Sequence, residues 1–275
     1  MKIVILTGAE LRHSFLRKSI ALDPAITVLR SYCEGAEKGL THKFGKPGDD
    51  VGGEGDLRHS HIAARAASEQ EFFAEFVEQS EDLSAPFNLP KGEVNQPGYT
   101  DEINDLAPDL LAAYGCSLIR DPLMSAYAGR FLNVHLGLSP WYRGSGTNFW
   151  PLVEGRPECV GATFMHLDAG IDTGEIIHQI RARILPGDTP HQIGNRLIED
   201  IAAVYPRVIA GFNSLPALPA LPVPDNVRVC RQQDYSEASV VELHRRFNDG
   251  LVDNFLADRA ARCAAVPILE NPALA

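Results

Sequence analysis

Three side chains in the middle of the chain have the types needed to move an acyl or one-carbon group. Asn133 and His135 stand two positions apart in the apolar run Phe131 to His135, so on a strand both point to the same face. A carboxamide can donate to a developing oxyanion, and an imidazole can carry a proton at neutral pH. The third is an aspartate, Asp168 or Asp172, of the Gly- and Asp-rich stretch Asp168-Ala-Gly-Ile-Asp-Thr-Gly174. Its carboxylate could orient or charge that imidazole, or shuttle protons through water. No nucleophilic Ser or Cys is read beside them, so the set fits direct transfer better than covalent catalysis. Each piece alone says little: an Asn-x-His at a strand end is more often structural, and an Asp-x-Gly stretch is usually just a turn.

Strand and helix signals alternate around these residues. Ile3 to Leu6 reads as a buried strand ended by Thr7-Gly8, and Glu10 to Leu22 as a helix. Ile26 to Leu29 is a second strand. Gly39 to Gly55 has no periodicity and reads as an exposed loop or lid. Apolar residues from Ile62 to Glu81 recur at helical spacing, and Pro86 to Gly98 is broken by three prolines. Strands follow at Leu110 to Tyr114, Phe131 to His135, Val160 to Leu167 and Ile176 to Ile184, then a helix from Thr189 to Phe212. Such alternation predicts an α/β fold with an open, mostly parallel twisted sheet, and ligand sites at the carboxyl ends of the strands. The turn at Gly137 and Pro140 places Asn133 and His135 at such an end. A catalytic domain is therefore expected over residues 1–213. Residues 214–275 form a Pro-rich linker (Leu215 to Pro224), a short strand (Val227 to Cys230) and one helix (Glu237 to Ala264) capped by Ser236. The roughly 50 residues after the linker are too few for a core of their own. They are expected to pack on the main domain or on a partner subunit, which would make a homodimer.

Taken together, the two stretches resemble the folate-dependent formyltransferases, a family that includes the glycinamide ribonucleotide, methionyl-tRNA and nucleotide-sugar enzymes. The family pattern is Asn-x-His-x-Ser-Leu-Leu-Pro with a Gly shortly after, then Gly-x-Thr and Asp-x-Gly-x-Ile. Asn133, His135, Pro140 and Gly144 match the first block, and Gly161, Thr163, Asp172, Gly174 and Ile176 the second. His135 and Asp172 are 37 positions apart, close to family spacing. The similarity spans about residues 110–205 and takes in Tyr114-Gly115. The resemblance implies a Rossmann-like formyltransferase fold, and transfer of a formyl group from 10-formyltetrahydrofolate to an amine. Asn133 and protonated His135 would stabilise the oxyanion while Asp172 relays the proton. The donor would lie against Gly115, Cys116, Ser117, Leu118 and Ile119, and against Asp168, Ala169, Gly170 and Ile171. Arg143, Gly144, Ser145 and Thr147 would meet the acceptor, together with Arg12, although Thr147 and Asn148 could equally cap the following helix. No metal is expected.

The departures narrow the acceptor. Ser-Leu-Leu is replaced by Gly137-Leu138-Ser139, and the phosphate loop of the ribonucleotide enzymes by Gly8-Ala9-Glu10-Leu11-Arg12-His13. Glu10 would repel a phosphate, with Arg12 a partial offset, so glycinamide ribonucleotide is disfavoured. The chain has 25 Lys plus Arg against 36 Asp plus Glu, a net charge of -11. Nucleic-acid affinity comes largely from basic side chains on phosphates, so this charge, with a short tail bearing Asp249, Asp253 and Asp258, argues against transfer RNA. The expected acceptor is a primary amine of a small molecule: an amino sugar first, nucleotide-linked as for some of the enzymes it resembles or free, and an amino-acid-like metabolite next.

Two rivals are a hydrolase that releases formate from the folate, and a binding protein that kept the fold. The first is weakened because Met1 opens a strand directly, with no regulatory domain ahead of it, and the second because all three catalytic types are present. No apolar run reaches the ~20 residues that span a membrane, and the start is too short for a secretory signal. Five cysteines without a Cys-x-x-Cys pair speak against a disulfide framework and for the cytoplasm. His59-Ser60-His61 is read as a solvated loop motif rather than a metal site.

Overall fold

Ile3, Val4, Ile5 and Leu6 are all buried, because the first strand runs through the middle of a sheet covered on both faces, the usual setting of a continuous apolar run. The computed structural model describes residues 1–35, 55–225 and 227–274. The chain runs β1 (Lys2–Gly8), α1 (Leu11–Ala21), β2 (Thr27–Glu34), α2 (Gly55–Gln79), β3 (Pro86–Leu89), α3 (Pro97–Leu106), β4 (Leu110–Tyr114), α4 (Leu123–Ala126), β5 (Phe131–His135), β6 (Tyr142–Gly144), α5 (Trp150–Val153), β7 (Gly161–His166), β8 (Ile176–Arg181), α6 (Pro190–Gly211), β9 (Arg228–Cys230), α7 (Glu237–Asn248), α8 (Leu251–Ala257) and α9 (Arg259–Ala264). Seven strands form one sheet in the order β3-β2-β1-β4-β5-β7-β8. The first five are parallel, and β7 and β8 continue antiparallel. This is the Rossmann-like formyltransferase fold expected from the sequence.

Period two sorts the strand residues to two faces. Ile3, Ile5, Ala112 and Leu132 pack with residues of α1 and α6 in the larger core, whereas Val4, Leu6, Leu111, Ala113 and Phe131 pack with Ile103 of α3 and Leu123 of α4. Helix α6 starts at a full capping box, in which Thr189 Oγ1 accepts from Gln192 N at 3.2 Å and Gln192 Oε1 accepts from Thr189 N at 2.9 Å.

Three elements differ from the sequence reading. Strand β3 lies in the proline-punctuated stretch. Pro86 is tolerated there because β3 is an edge strand and Pro86 is its first residue. Strand β2 runs on to Glu34. The single tail helix is three: Gly250, at φ 80°, ends the first, and Asp258 ends the second. The tail packs on the main body. β9 pairs in parallel with β6, α7 lies against α2 and α5, and Cys230, Leu243, Val252 and Phe255 belong to the larger core. The loop read at Gly39 to Gly55 lies outside the described residues except for Gly55, where α2 begins. Among the described residues no helix is long and apolar enough to cross a membrane.

Candidate active site

The register of β1, β4 and β5 sets Thr7 beside Tyr114 and Ala113 beside Asn133, so three strands end together. Their carboxyl ends open onto a cavity of about 770 Å³, the position where open parallel sheets bind ligands. Asn133, His135 and Asp172 all line it. Asn133 is half-buried and His135 is buried. His135 Nδ1 lies 3.3 Å from Asp172 Oδ2, and His135 Nε2 lies 3.2 Å from the Tyr142 carbonyl oxygen. Both neighbours only accept, so a neutral ring satisfies one of them and a doubly protonated ring both. Asp172 sits at φ 49°, a left-handed conformation that Asp adopts more readily than most residues. Its Oδ2 also accepts from Gly144 N at 2.7 Å, and its carbonyl accepts from Ser139 Oγ at 3.3 Å.

The motif residues without chemistry of their own hold this geometry. Thr163 is fully buried on β7. Its hydroxyl accepts from Ser139 N (3.0 Å) and donates to Gly137 O (2.7 Å), which fixes the turn after His135. Gln179 Nε2 donates to Thr163 Oγ1 at 3.0 Å and to Ser139 O at 2.7 Å. Gly174 is needed because a side chain there would run into the His166 carbonyl.

Of the residues assigned to the donor, Gly115, Cys116 and Ser117 line the cavity. Ser117 N and Gly92 N both donate to the buried Glu34 carboxylate, at 2.5 and 2.9 Å, and Lys91 Nζ pairs with it at 3.2 Å. Leu118 is 64% exposed and Ile119 is buried in the smaller core, neither on the cavity wall. Asp168, Ala169, Gly170 and Ile171 form an exposed turn closed by Gly170 N and Thr173 Oγ1 donating to Asp168, and they too lie off the wall. Of the acceptor set, Arg12, Gly144, Ser145 and Thr147 line the cavity and Arg143 does not. Thr147 is buried, and its hydroxyl donates to Leu136 O.

Sequence reasoning missed the far wall, which is built from α2, the start of α6 and the tail. Arg12 pairs with Glu10 and with Glu69 (2.8 Å), and Arg65 pairs with Glu69 (3.0 Å) and Glu10 (3.8 Å). Burial alone would push the Glu69 carboxyl up. The Arg12 and Arg65 guanidiniums outweigh that and hold it below the usual carboxylate range. The Arg65-Glu69 spacing of four residues on a helix was legible, but Arg12 lies 57 positions away from Glu69. Glu10 and His13 form a reciprocal cap at the start of α1, with Glu10 N donating to His13 Nδ1 at 3.2 Å. The helix terminus that could hold a phosphate therefore carries a carboxylate.

His61, placed in a solvated loop by the sequence reading, is instead buried on α2, because the helix starts at Gly55 and turns this residue inward. Its ring centroid lies 4.4 Å from that of His191 and 5.6 Å from that of His244. Burial, then His191 and His244, push His61 down to about 3; burial, then Arg65 and His244, push His191 down to about 4. Arg231, Gln232 and Tyr235 of the tail complete this wall. Among the described residues no group of three or more His, Cys, Asp or Glu is arranged to hold a metal ion.

Known proteins share this fold and part of this sequence. The model of the family described as "Formyl transferase" matches residues 47–209. A methionyl-tRNA formyltransferase of Burkholderia ambifaria is 33% identical over 132 residues, which are 48% of this chain and 40% of that protein. The chain thus spans less than half the length of the curated relatives it matches. A phosphoribosylglycinamide formyltransferase from Anaplasma phagocytophilum aligns with a TM-score of 0.54 at 15% identity, covering 84% of this chain and 98% of that one. A glycinamide ribonucleotide transformylase from Symbiobacterium toebii aligns at 0.53 and 19%, covering 79% and 91%. At such identities the likeness is one of fold. Since the family's own model covers more than half of the sequence, the chain belongs to the formyl transferase family.

Proposed function

We propose that the chain transfers the formyl group of 10-formyltetrahydrofolate to a primary amine of a small molecule. The observation that carries this reading is the meeting of Asn133, His135 and Asp172 on one cavity at the strand ends, with Asp172 3.3 Å from His135 and, among the described residues, no Ser or Cys nucleophile bonded to the imidazole. The folate supplies an activated formyl group. Asn133 donates to the formyl oxygen as negative charge develops there, and His135 joins it when its Nε2–H turns from the Tyr142 carbonyl toward that oxygen. Asp172 orients the imidazole and takes part in moving the amine's proton to the leaving nitrogen. Gly115, Cys116 and Ser117, on the cavity wall, hold the donor, and the exposed side chains of the adjoining Leu118 and of the turn Asp168 to Ile171 are open to its outer part, while Ile119 supports the segment from the core. Leu118 and Ile171, 64% and 52% exposed, are large apolar side chains left open on those two segments, and they suit the flat faces of a pterin.

For the acceptor, Arg12, Gly144, Ser145 and Thr147 form the near wall, with Arg143 on the strand beside them. A nucleotide-linked amino sugar would bring phosphates toward the Glu10 carboxylate, which weighs against the nucleotide. The paired Glu10, Arg12, Arg65 and Glu69 balance in charge, and Arg65 keeps 32% of its side chain exposed. Such an array suits an acceptor that carries both signs, and this favours the amino-acid-like reading beside the plain amino sugar.

The test is a panel of amino sugars, nucleotide-linked amino sugars and amino acids with side-chain amines, incubated with the folate donor and read by mass spectrometry. A formylated amine is expected. Formate release without any amine would make the chain a hydrolase, and full transfer activity in His135→Ala would overturn the assignment.

A further inference from the structure

We infer that Gly144 is a positioning residue for Asp172 and that the C-terminal strand β9 keeps it in place, so that the tail is part of the catalytic apparatus; this rests on the formyl transfer proposed above. Strand β6 brackets the His-Asp pair with main-chain groups. Its first residue presents the Tyr142 carbonyl 3.2 Å from His135 Nε2, and its last presents Gly144 N, which donates to Asp172 Oδ2 at 2.7 Å. That bond is shorter than the 3.3 Å from the same oxygen to His135 Nδ1. Gly144 N therefore fixes the rotamer in which the carboxylate meets the imidazole.

What fixes β6 is remote in sequence. The strand is three residues long, and among the described residues it pairs with β9 alone. The register sets Tyr142 beside Arg228, Arg143 beside Val229 and Gly144 beside Cys230. Arg228 N donates to Trp141 O at 2.8 Å and Ser145 N donates to Cys230 O at 2.9 Å, one bond at each end of the ladder. Side chains repeat the tie: Tyr142 OH donates to Glu154 Oε2 at 2.6 Å, and Arg228 Nε pairs with Glu154 Oε1 at 3.2 Å. Gly144 has φ 91°, and a Cβ at this position would collide with the Cys230 carbonyl. The glycine lets β9 approach closely enough to hold the amide that holds Asp172.

The test uses the full chain. Gly144→Ala is expected to lower kcat about 100-fold, the scale of a 1 Å misplacement of a reacting group. The KM for the folate should stay within about twofold. In an Asp172→Ala background the same substitution should cost less than about threefold, because its target is gone. An equal loss in both backgrounds would overturn the proposal. A second arm needs no turnover and tolerates failure of Gly144→Ala to fold. In glycine-labelled protein the Gly144 amide proton should move upfield in Asp172→Ala and in Arg228→Pro, which removes the β9 donor to Trp141. A Gly144 resonance unmoved by Arg228→Pro in folded protein would refute the role of β9. Loss of formyl transfer as the function would leave that resonance test standing, so the two failures are distinguishable.

Discussion

His61 gives a prediction whose size follows from its surroundings. It is 7% exposed, and burial with two neighbouring imidazoles holds it uncharged down to about pH 3. In the unfolded chain it takes its proton near pH 6.5. Between these values the unfolded state binds more protons than the native state, so stability falls as the pH drops through 6.5 and goes on falling toward 3. The slope is about 1.4 kcal/mol per pH unit for one such group. Moving from pH 7.5 to 5.5 crosses the unfolded value by one unit, so His61 alone should remove about 1.4 kcal/mol. The perturbation is His61→Phe, which keeps a ring against Phe149, whose centroid lies 5.9 Å away, and removes a buried Nδ1 that has no hydrogen-bond partner. Urea denaturation of both proteins at the two pH values gives the double difference. His13, His166 and His178 are also held below their ordinary value, chiefly by burial, and cancel between the two proteins. The wild type should lose about 1.4 kcal/mol more than the variant on acidification. An equal loss in both would show that His61 is charged in the native state and that its burial is misjudged.

Three further outcomes are expected. His135→Ala should abolish measurable formyl transfer, Asp172→Ala should lower kcat by about 10²–10⁴ to a level still measurable, the share of one positioned acid or base, and Asn133→Ala should lower kcat by about 10²–10³, the loss typical of one oxyanion donor, each read in protein that still melts cooperatively in calorimetry. Glu69→Ala leaves Arg12 and Arg65 without their shared carboxylate and should destabilise by about 3 kcal/mol in urea. Because Glu69 is held below its ordinary value, its contribution is present above about pH 4.5 and is lost as the pH falls below it, so the difference between the two proteins should shrink in acid. Thr163→Val removes the hydroxyl that serves Ser139 N and Gly137 O and should cost about 2 kcal/mol with a lowered kcat, read by denaturation and by turnover.

Strands β4 and β5 were legible to the residue, because each is an unbroken apolar run between turn signals. Period two then set Asn133 and His135 on one face without any structure. Asp172 came from the resemblance, since a lone Asp in a Gly-rich turn has no pattern of its own. The second half of β2 was missed because Ser31 and Glu34 look like surface residues. Both are buried, with Ser31 Oγ donating to Ser84 O and Glu34 accepting from Gly92 N and Ser117 N. Their partners lie 53 to 83 positions away, beyond the reach of local patterning. The far wall was missed for the same reason: Arg65, His61 and Tyr235 meet the expected Arg12 only once α1, α2 and the tail are assembled.

The two ends of the cavity are held by different means. At the chemical end, the turn after His135 is tied through Thr163 and Gln179, Ser117 is tied to Glu34, and the His-Asp pair is bracketed by β6. Most of these bonds are buried or partly buried and many use main-chain groups, so they persist through most surface substitutions, and losing one leaves an unsatisfied polar atom. The far end is lined by long side chains of α1, α2 and the tail, paired with one another across helices, and the proposed function gives them the acceptor. A substitution there changes charge and shape without moving the strand ends. It follows that exchanges at Arg65, Arg231 or Tyr235 should alter which amine is taken and its KM, while folate affinity stays within about twofold. Folate affinity measured by calorimetry across such a set, against amine KM, separates the two ends, and a parallel fall in both would show that the far wall also positions the donor.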